Sequence, residues 1–372
     1  MKDKRNYAVD FWRFIFCITF VLVHTYLIYP MMYWHTAPWI VKGKPMFSGG
    51  LDVIIMFYLF TGYFLMHTFR KPKDGSKDKP GKEASKYLVS RLKGFYPAFL
   101  ICMVFGFVLT NIYNEFPVKD WGWIALDGFW EWLGGVPTGM GIGNNYYGLM
   151  TEGRHMLMNG PLWFIPMIVL VGYLVYYALE KNEDFALHIL FPVGFMISYG
   201  YFHVNGITPM WYNFDLPGVS QAAIQAFFSI GLGCVYYDLV QKLQKKEFST
   251  GKKICLTIIN LLASGIVVYH MIWGLKLTYM TICGLCMVFV FLVLLNKDYL
   301  TRVLNTVIWK YPGKLALYIY MIHYPVIGML HKMFPELSLH MVCLYTYLVT
   351  IILSIVLMVV VDNVITPKLN KK

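Results

Sequence analysis

The chain has 372 residues, of which 58% are hydrophobic and only 14% charged, and its formal net charge is +12 at pH 7. A soluble globular domain is about 45–50% apolar and about 25% charged, so the composition excludes one and predicts a multi-pass membrane protein. The positive charge fits the cytoplasmic loops of such a protein and requires no nucleic-acid partner. The seven cysteines lie in or beside apolar segments, so we predict no disulfide framework and no metal site.

Runs of apolar residues predict an all-α bundle of about ten transmembrane helices, polytopic and in one domain over residues 1–372. The first run is interpreted as a retained helix and not as a signal peptide, because it is long, carries Arg13 and His24, and is followed by no small-residue cleavage site. The predicted spans lie near 8–30, 50–69, 94–114, 160–179, 186–204, 220–241, 254–272, 276–295, 314–332 and 341–365.

The basic residues are distributed unequally when these spans are threaded across a membrane. Most of the 32 Lys and Arg residues fall on the side of the N-terminus, which the positive-inside rule identifies as the cytoplasmic side. An even number of spans then places both termini in the cytoplasm. The opposite side receives Lys42, Lys44, Lys119, Arg154, Lys276 and Lys332.

Three connections between the spans have a distinctive composition. The stretch 70–91 is rich in Lys, Pro and Gly, which predicts a flexible cytoplasmic loop. The outer segment 115–160 holds several Trp residues, which favour either an interfacial anchor or a substrate-binding element. The outer loop 204–218 contains Trp211 and Asp215, a combination that suits either a sugar or the membrane interface.

Arg13 and His24 are the most informative residues of the first span. A charged or titratable group at membrane depth is costly, so we expect both to face a protein interior or a polar cavity. Their spacing corresponds to about 16 Å and about three helical turns, which puts them near one face and predicts the two ends of one channel. The alternatives are a salt bridge between Asp10 and Arg13 or snorkelling of Arg13, and a structural hydrogen bond for His24.

Other polar residues also lie in or beside the predicted spans. Asp52 opens the second span, where it is placed to orient a histidine or to hold a hydroxyl substrate, and Thr61 with Gly62 allows close helix packing. Arg91 precedes the third span. It is interpreted either as an anchor at the inner membrane interface or as a residue that binds an anionic ligand. His323 lies among apolar residues of the ninth span, where a core hydrogen bond is the alternative to a role in a site.

Taken together, these residues resemble the acyltransferase-3 family of integral membrane O-acyltransferases. The matches follow the family order along the chain. They are Asp10-x-x-Arg13 with the later His24, residues 57–63 (Phe-Tyr-Leu-Phe-Thr-Gly-Tyr) as a version of F-F-x-x-S-G-[FY], residues 91–97, residues 161–165 (Pro-Leu-Trp-Phe-Ile) and residues 320–323 (Tyr-Met-Ile-His).

The chain departs from the family pattern at three places. Thr61 stands where Ser is usual, Lys93 or Gly94 stands where a second Arg often follows, and residues 166–167 (Pro-Met) stand where many members carry a carboxylate. The last departure makes Asp52 the candidate partner of His24.

The resemblance implies an enzyme that moves an acyl group, usually acetyl, from a cytoplasmic acyl-CoA to a hydroxyl of an extracytoplasmic glycan or glycolipid. It implies a multi-pass protein of the bacterial plasma or inner membrane, in contact with membrane lipids. Acetyl-CoA would be a co-substrate, with no tightly bound cofactor. The acceptor, the choice between acetyl and succinyl, and the choice between monomer and homodimer stay open.

The resemblance also implies roles for residues. His24 would be a general base or become transiently acylated, and Arg13 would bind the donor or stabilise the oxyanion. The expected catalytic residues are His24, Arg13 and Asp52; those that bind the donor are Arg13, Arg70, Arg91, Lys93 and Tyr96; those that bind the acceptor are Thr61, Tyr63, Trp163, Trp211, Tyr320 and His323.

Two other classes of function compete with this interpretation. One is a transporter or flippase of a polar lipid or metabolite, with Arg13 and His24 lining its path. The sequence shows no pair of interrupted helices in matching halves, which argues against it. The other is a membrane sensor or scaffold, which would be favoured only if His24 were dispensable. Release of coenzyme A separates acyl transfer from both.

The charge distribution predicts the topology. A membrane-impermeant thiol reagent applied to intact cells should label a cysteine introduced at Gly139 or Asn145 and should not label one at Ser76, because the basic loop lies inside. Permeabilised cells, in which all three positions should react, provide the control. Labelling of Ser76 with protection at both outer positions would invert the protein and remove the basis for a cytoplasmic donor.

Overall fold

The computed structural model describes residues 5–32, 37–71, 81–113, 115, 117–122, 125, 160–207, 209, 214–216 and 219–370. A helix covers each predicted span, so the prediction of a polytopic helical bundle is confirmed. The main helices are α1 (Tyr7–Val23), α2 (Ile55–Phe69), α3 (Lys82–Tyr113), α4 (Gly172–Lys181), α5 (Phe191–Val204), α6 (Gln221–Gln244), α7 (Thr250–Trp273), α8 (Tyr279–Leu295), α9 (Lys310–Met333) and α10 (Leu339–Val360).

Not all of these helices are equally suited to cross a membrane. Within the described residues, eight helical segments are long and apolar enough to do so. The helix α8 is apolar but has only 17 residues, and α9 is 24 residues long but is not among the eight. Both lie inside the bundle, where contacts with other helices cover them.

Several spans contain a turn of π-helix that extends or precedes the main helix. The one that matters most is His24–Ile28, which directly continues α1. Such turns are rare and occur frequently at functional sites. The others are Met167–Val171 before α4, Ala186–Leu190 before α5 and Val361–Ile365 after α10.

The third span begins earlier than its hydropathy predicts. The stretch 70–91 was expected to be a loop throughout, but α3 starts at Lys82. Its first turns are stabilised by contacts with α4: Ala84 N–H donates to the carboxylate of Glu180 at 3.0 Å, and Tyr87 stacks on Tyr176. Arg91 therefore lies on a helix and not at the end of a loop.

Outside the helices, the described residues form two short antiparallel hairpins. The strands β1 (Ile40–Val41) and β2 (Lys44–Pro45) pair with each other, as do β3 (Phe214–Leu216) and β4 (Val219–Ser220). Four of the helices that follow loops, α6, α7, α8 and α10, have a Ser or Thr N-cap whose side chain accepts a backbone N–H. This is the usual way to satisfy the free donors of a helix start.

The closest helix crossing near the centre of the bundle joins α2 and α6. At Gly62 an added Cβ would lie 1.8 Å from the carbonyl oxygen of Ile230, and at Gly233 it would lie 2.3 Å from that of Leu59. Small residues on both helices allow this approach, as expected for membrane helices that pack without a strong hydrophobic driving force. The sequence-based interpretation of Thr61 and Gly62 as a packing site agrees with this contact.

The close contact between α2 and α6 predicts that one added methyl group at Gly62 will lower the stability of the bundle. We expect Gly62→Ala to destabilise the bundle by about 1–3 kcal/mol, because the backbones of α2 and α6 must separate. Gly284→Ala is the matched control, since nothing lies within 4 Å of the added Cβ there. The measurement is thermal unfolding of both purified variants in detergent, and equal midpoints would contradict the packing role.

Candidate functional site

A cavity of about 610 Å³ lies between α1, α2, α3, α6 and α9. It follows α1 from Arg5, just before the helix, to His24, just after it. One face of the first span lines it, since Asn6, Arg13, Cys17, Phe20 and His24 recur at the helical period. Arg13 and His24 thus line the same cavity at different depths, as their spacing predicts.

Asp10 is paired with Arg5 and not with Arg13. The Nε atom of Arg5 lies 2.7 Å from Oδ2 of Asp10 and its Nη2 atom lies 3.1 Å from Oδ1, a bidentate contact to a carboxylate that is only 4% exposed. The salt bridge between Asp10 and Arg13, one of the alternatives, is therefore absent. Arg13 forms no ion pair with any residue that the structure describes, so its charge faces the cavity uncompensated.

His24 is buried and has well-defined partners on one ring nitrogen. Its Nδ1 atom lies 2.8 Å from the carbonyl oxygen of Phe20 and 3.1 Å from Nε2 of His323. The two imidazoles are in contact, with ring centroids 4.9 Å apart. The Tyr324 ring packs edge-on against His24 at 5.3 Å, and Tyr29 in turn donates a hydrogen bond to the Tyr324 carbonyl.

These contacts determine which nitrogen of each ring carries a proton. A carbonyl oxygen only accepts hydrogen bonds, so Nδ1 of His24, next to the Phe20 carbonyl, is the protonated nitrogen. Nδ1 of His323 lies 3.1 Å from the Ile319 carbonyl and 2.9 Å from that of Tyr320, so it is protonated as well. Nε2 of His323 is then an acceptor for the Nδ1–H of His24.

The remaining nitrogen of His24, Nε2, carries a lone pair. No described residue forms a hydrogen bond to this nitrogen. His24 itself lines the cavity. A neutral imidazole with one nitrogen anchored and the other available is the arrangement of a general base. The ring cannot rotate freely, because two acceptors hold its Nδ1–H.

Several other residues expected from the sequence line the same cavity, namely Thr61, Tyr63, Arg91, Trp163 and Tyr320. The guanidinium of Arg91 lies over the ring of Tyr87 at 4.9 Å and is in no ion pair with a described residue. Tyr320 donates a hydrogen bond of 2.5 Å to the carbonyl of Pro161, which ties α9 to the turn that carries Trp163.

Asp52 is not the partner of His24, contrary to the expectation from the sequence. Its Oδ2 atom lies 2.9 Å from Nε2 of His270, on α7. Asp52 lies in the 3₁₀ turn Leu51–Ile54, and the ends of this turn, Leu51 and Ile54, line the cavity while Asp52 does not. The carboxylate therefore points to a different helix, and His323 takes the place that it was expected to fill.

Three of the residues expected to bind the donor also lie outside the cavity lining. Arg70 forms ion pairs of 2.5 Å with Glu183 and 2.9 Å with Asp238, which tie together the ends of three spans. Lys93 is exposed, and Tyr96 stacks on Phe99. Trp211 lies outside the described residues, as does most of the Trp-rich segment 115–160.

Some lining residues escaped the sequence analysis. Cys17 could have been found by continuing the helical period from Arg13 towards His24. Gln241, Gln244 and Asn296 carry no pattern of their own and meet the cavity only through the packing of α6 and α8. Within the described residues, no group of three or more His, Cys, Asp or Glu side chains is placed to hold a metal ion.

The sequence model of a family described as an acyltransferase domain matches residues 6–362, nearly the whole chain. No curated protein and no solved structure matches the chain. The matched range includes the whole cavity except its first residue, Arg5.

Cys17 lines the cavity between Arg13 and His24. A bulky side chain at this position would therefore block the cavity between its two ends. We expect Cys17→Trp to lower acyl transfer about 10²-fold, because it displaces whatever extends from Arg13 to His24. Cys17→Ser, which keeps the volume, should stay active. Size-exclusion profiles of both variants check folding, and a folded, fully active Cys17→Trp protein would show that the cavity is not the reaction path.

Proposed function

The chain belongs to the acyltransferase-3 family, and from that premise we propose that it is a membrane O-acyltransferase. In this proposal it transfers an acetyl group from cytoplasmic acetyl-CoA to a hydroxyl of an extracytoplasmic glycan or glycolipid, in a bacterial plasma membrane. The observation that carries the proposal is the free Nε2 atom of His24 at the deep end of a cavity that begins among cations.

The charges around the cavity support an anionic donor. Arg13 and Arg91 line it without a carboxylate partner among the described residues, and the negative charge of Asp10 is already compensated by Arg5. An uncompensated guanidinium at membrane depth is costly, so a bound anion would lower the free energy of the site. The phosphates of coenzyme A meet this requirement at the cytoplasmic end, and its narrow pantetheine arm extends past Cys17 towards His24.

The chemical step uses His24 twice. The acceptor hydroxyl attacks the thioester carbonyl while Nε2 of His24 takes the hydroxyl proton, which activates a weak nucleophile. The tetrahedral intermediate then expels the thiolate of coenzyme A, and the same proton passes from Nε2 to the sulfur. The products are an ester and free coenzyme A, and His24 returns to its neutral form.

His323 supports this step without contact to the substrate. When Nε2 of His24 gains a proton, the ring becomes a cation whose Nδ1–H donates to Nε2 of His323 and to the Phe20 carbonyl. Hydrogen bonds from a charged donor are stronger than those from a neutral one, so the pair favours the protonated intermediate state. His323 is therefore a positioning residue in this proposal.

The other lining residues near His24 suit the proposed acceptor. Trp163, Tyr320 and Phe164 surround this end of the cavity. Tyr and Trp rings present an apolar face together with a hydrogen-bonding group, the hydroxyl of Tyr or the indole N–H of Trp. This combination suits a hydroxylated ligand such as a sugar. The acceptor is proposed to arrive from the side opposite to the donor.

Loss of the base at His24 should lower activity without affecting insertion or folding. His24→Ala is expected to reduce acetyl transfer by about 10²–10⁴-fold while the protein inserts and purifies normally. The measurement is release of coenzyme A from acetyl-CoA by the purified protein with an extracted envelope acceptor. A His24→Ala protein with near-full activity would eliminate the mechanism, and absence of coenzyme A release from the unaltered protein would favour the transporter.

The proton assignment predicts a difference between two changes at position 323. His323→Gln can still offer an acceptor oxygen to the Nδ1–H of His24, whereas His323→Leu cannot. We expect the Leu variant to lose more kcat than the Gln variant, with little change in the KM for acetyl-CoA. Equal kcat values in folded Gln and Leu variants, or an effect confined to KM, would contradict the positioning role.

Replacing Arg13 by Lys keeps the positive charge and tests whether the shape of the guanidinium matters. Arg13→Lys should weaken donor binding, because a compact ammonium cannot reproduce the planar two-pronged contact of a guanidinium with an oxyanion. Lys93→Ala is the control, since Lys93 is exposed and outside the cavity lining. Unchanged coenzyme A affinity in Arg13→Lys and in Arg91→Ala would return both residues to structural roles.

A further inference from the structure

The segment that joins α8 to α9, residues 297–309, exposes apolar side chains at one end of the bundle. It contains a six-residue helix, Tyr299–Leu304, and the 3₁₀ turn Val307–Trp309. Three of its apolar side chains have exposed fractions between 62% and 72%, namely Val303, Val307 and Ile308. Exposed apolar side chains rimmed by polar residues mark an interaction site, and the acyl transfer proposed above makes no use of this segment.

The other side of the segment is packed on the bundle. Thr301 is buried, and its hydroxyl accepts a hydrogen bond from Nδ2 of Asn260, on α7, at 3.0 Å. The Trp309 ring meets the ring of Phe11, on α1, edge to face with centroids 4.6 Å apart. Within the short helix, positions 299, 302 and 303 share the opposite side. The exposed side chains define an outward face, which consists of Tyr299, Arg302, Val303, Val307, Ile308 and the adjoining Lys310.

The outward face is basic as well as apolar. Arg302 and Lys310 are both exposed, and neither forms an ion pair with a described residue. The one carboxylate of the sequence between positions 297 and 310 is that of Asp298. Its side chain is buried and caps the short helix, where Oδ1 accepts the N–H of Thr301 at 2.9 Å. The outward face therefore presents cations and no exposed carboxylate of its own.

The segment lies at the end of the bundle that holds the start of α1. The positive-inside rule identifies that end as the cytoplasmic one. A second connection at the same end, between α6 and α7, exposes Lys245, Lys246 and Glu247 and no large apolar side chain. A loop that meets only water has such a polar composition. The segment 297–309 instead has the composition of a chain that lies in the membrane interface.

The chemistry of the outward face selects anionic phospholipids as its partner. Apolar side chains insert at the boundary between headgroups and acyl chains, and cations beside them are attracted to a negatively charged leaflet. We propose that the outward face docks on anionic phospholipid headgroups at the cytoplasmic surface of the membrane. A zwitterionic lipid offers the same apolar boundary but no net charge to Arg302 and Lys310, and therefore binds this face more weakly.

The lipid contact also supports the mouth of the cavity. The N–H of Tyr7 donates to Oδ1 of Asn305 at 2.7 Å, and Nδ2 of Asn6 donates to the carbonyl of Val293 at 2.9 Å. These bonds tie the start of α1 to the segment and to the last turns of α8. Asn6 itself lines the cavity. A lipid that holds the segment in place therefore also holds this end of the cavity.

The test counts the lipids retained by the purified full chain in native mass spectrometry. The protein is prepared in micelles that contain either phosphatidylglycerol, which is anionic, or phosphatidylcholine, which is zwitterionic. We expect tighter retention of phosphatidylglycerol. Arg302→Gln should weaken that retention about fivefold, the usual effect of one basic residue near an anionic surface, and Ile308→Ser should weaken it as well by removing apolar contact.

Lys246→Gln is the matched control, because it removes an exposed cation at the same end from a turn without exposed apolar side chains. Its retention of phosphatidylglycerol should equal that of the unaltered protein. Equal retention of the two lipids by the unaltered protein, or unchanged retention of phosphatidylglycerol in both Arg302→Gln and Ile308→Ser, would overturn the docking surface.

Hydrogen exchange of the first turn of α1 tests the support of the cavity mouth. In nanodiscs of the unaltered protein, exchange should be slower with phosphatidylglycerol than with phosphatidylcholine, and Arg302→Gln should reduce this difference. Equal exchange rates in the two lipids would overturn the link between the lipid and α1. Neither measurement uses acyl transfer, so a negative result here would leave the proposed function standing.

Discussion

The hydrogen bond from Nδ1–H of His24 to the carbonyl of Phe20, 2.8 Å long, is the contact on which the site depends. It sets the tautomer of His24, and the tautomer makes Nε2 the basic nitrogen of a residue that lines the cavity. His323 is held in the matching tautomer by two carbonyls of its own helix. Both imidazoles are thus oriented by backbone groups, which membrane helices present at fixed positions.

The distribution of carboxylates gives the cavity its electrostatic character. Asp10 pairs with Arg5, Asp238 and Glu183 both pair with Arg70, and Asp362 pairs with Lys314. These pairs leave Arg13 and Arg91 as cations that line the cavity without a carboxylate among the described residues. Inside a bundle surrounded by lipid, a guanidinium keeps more of its attraction for an anion than it would in water. The packing of Gly313 against Asp10 keeps α9 close to this end of α1.

The cavity suits the reaction proposed above, in which donor and acceptor come from opposite faces of a membrane. Its polar groups are concentrated where the helices approach the basic loops, and its deep end is surrounded by aromatic rings near His24. A donor with a charged head and a thin arm fits this gradient, since only the arm has to leave water. The first span changes from α-helix to π-helix at His24. This change of helical register sets the direction of the imidazole ring.

The sequence by itself determined the features that depend on near neighbours. The spans follow from runs of apolar residues, the common face of Arg13 and His24 follows from the helical period, and the packing at Gly62 follows from the absence of a side chain. What only the tertiary structure decided is which groups meet across helices. His24 meets His323, which is 299 positions away, and Asp52 meets His270. Such contacts depend on how each helix is rotated and where it crosses its neighbours, and these are set by the packing of the whole bundle at once.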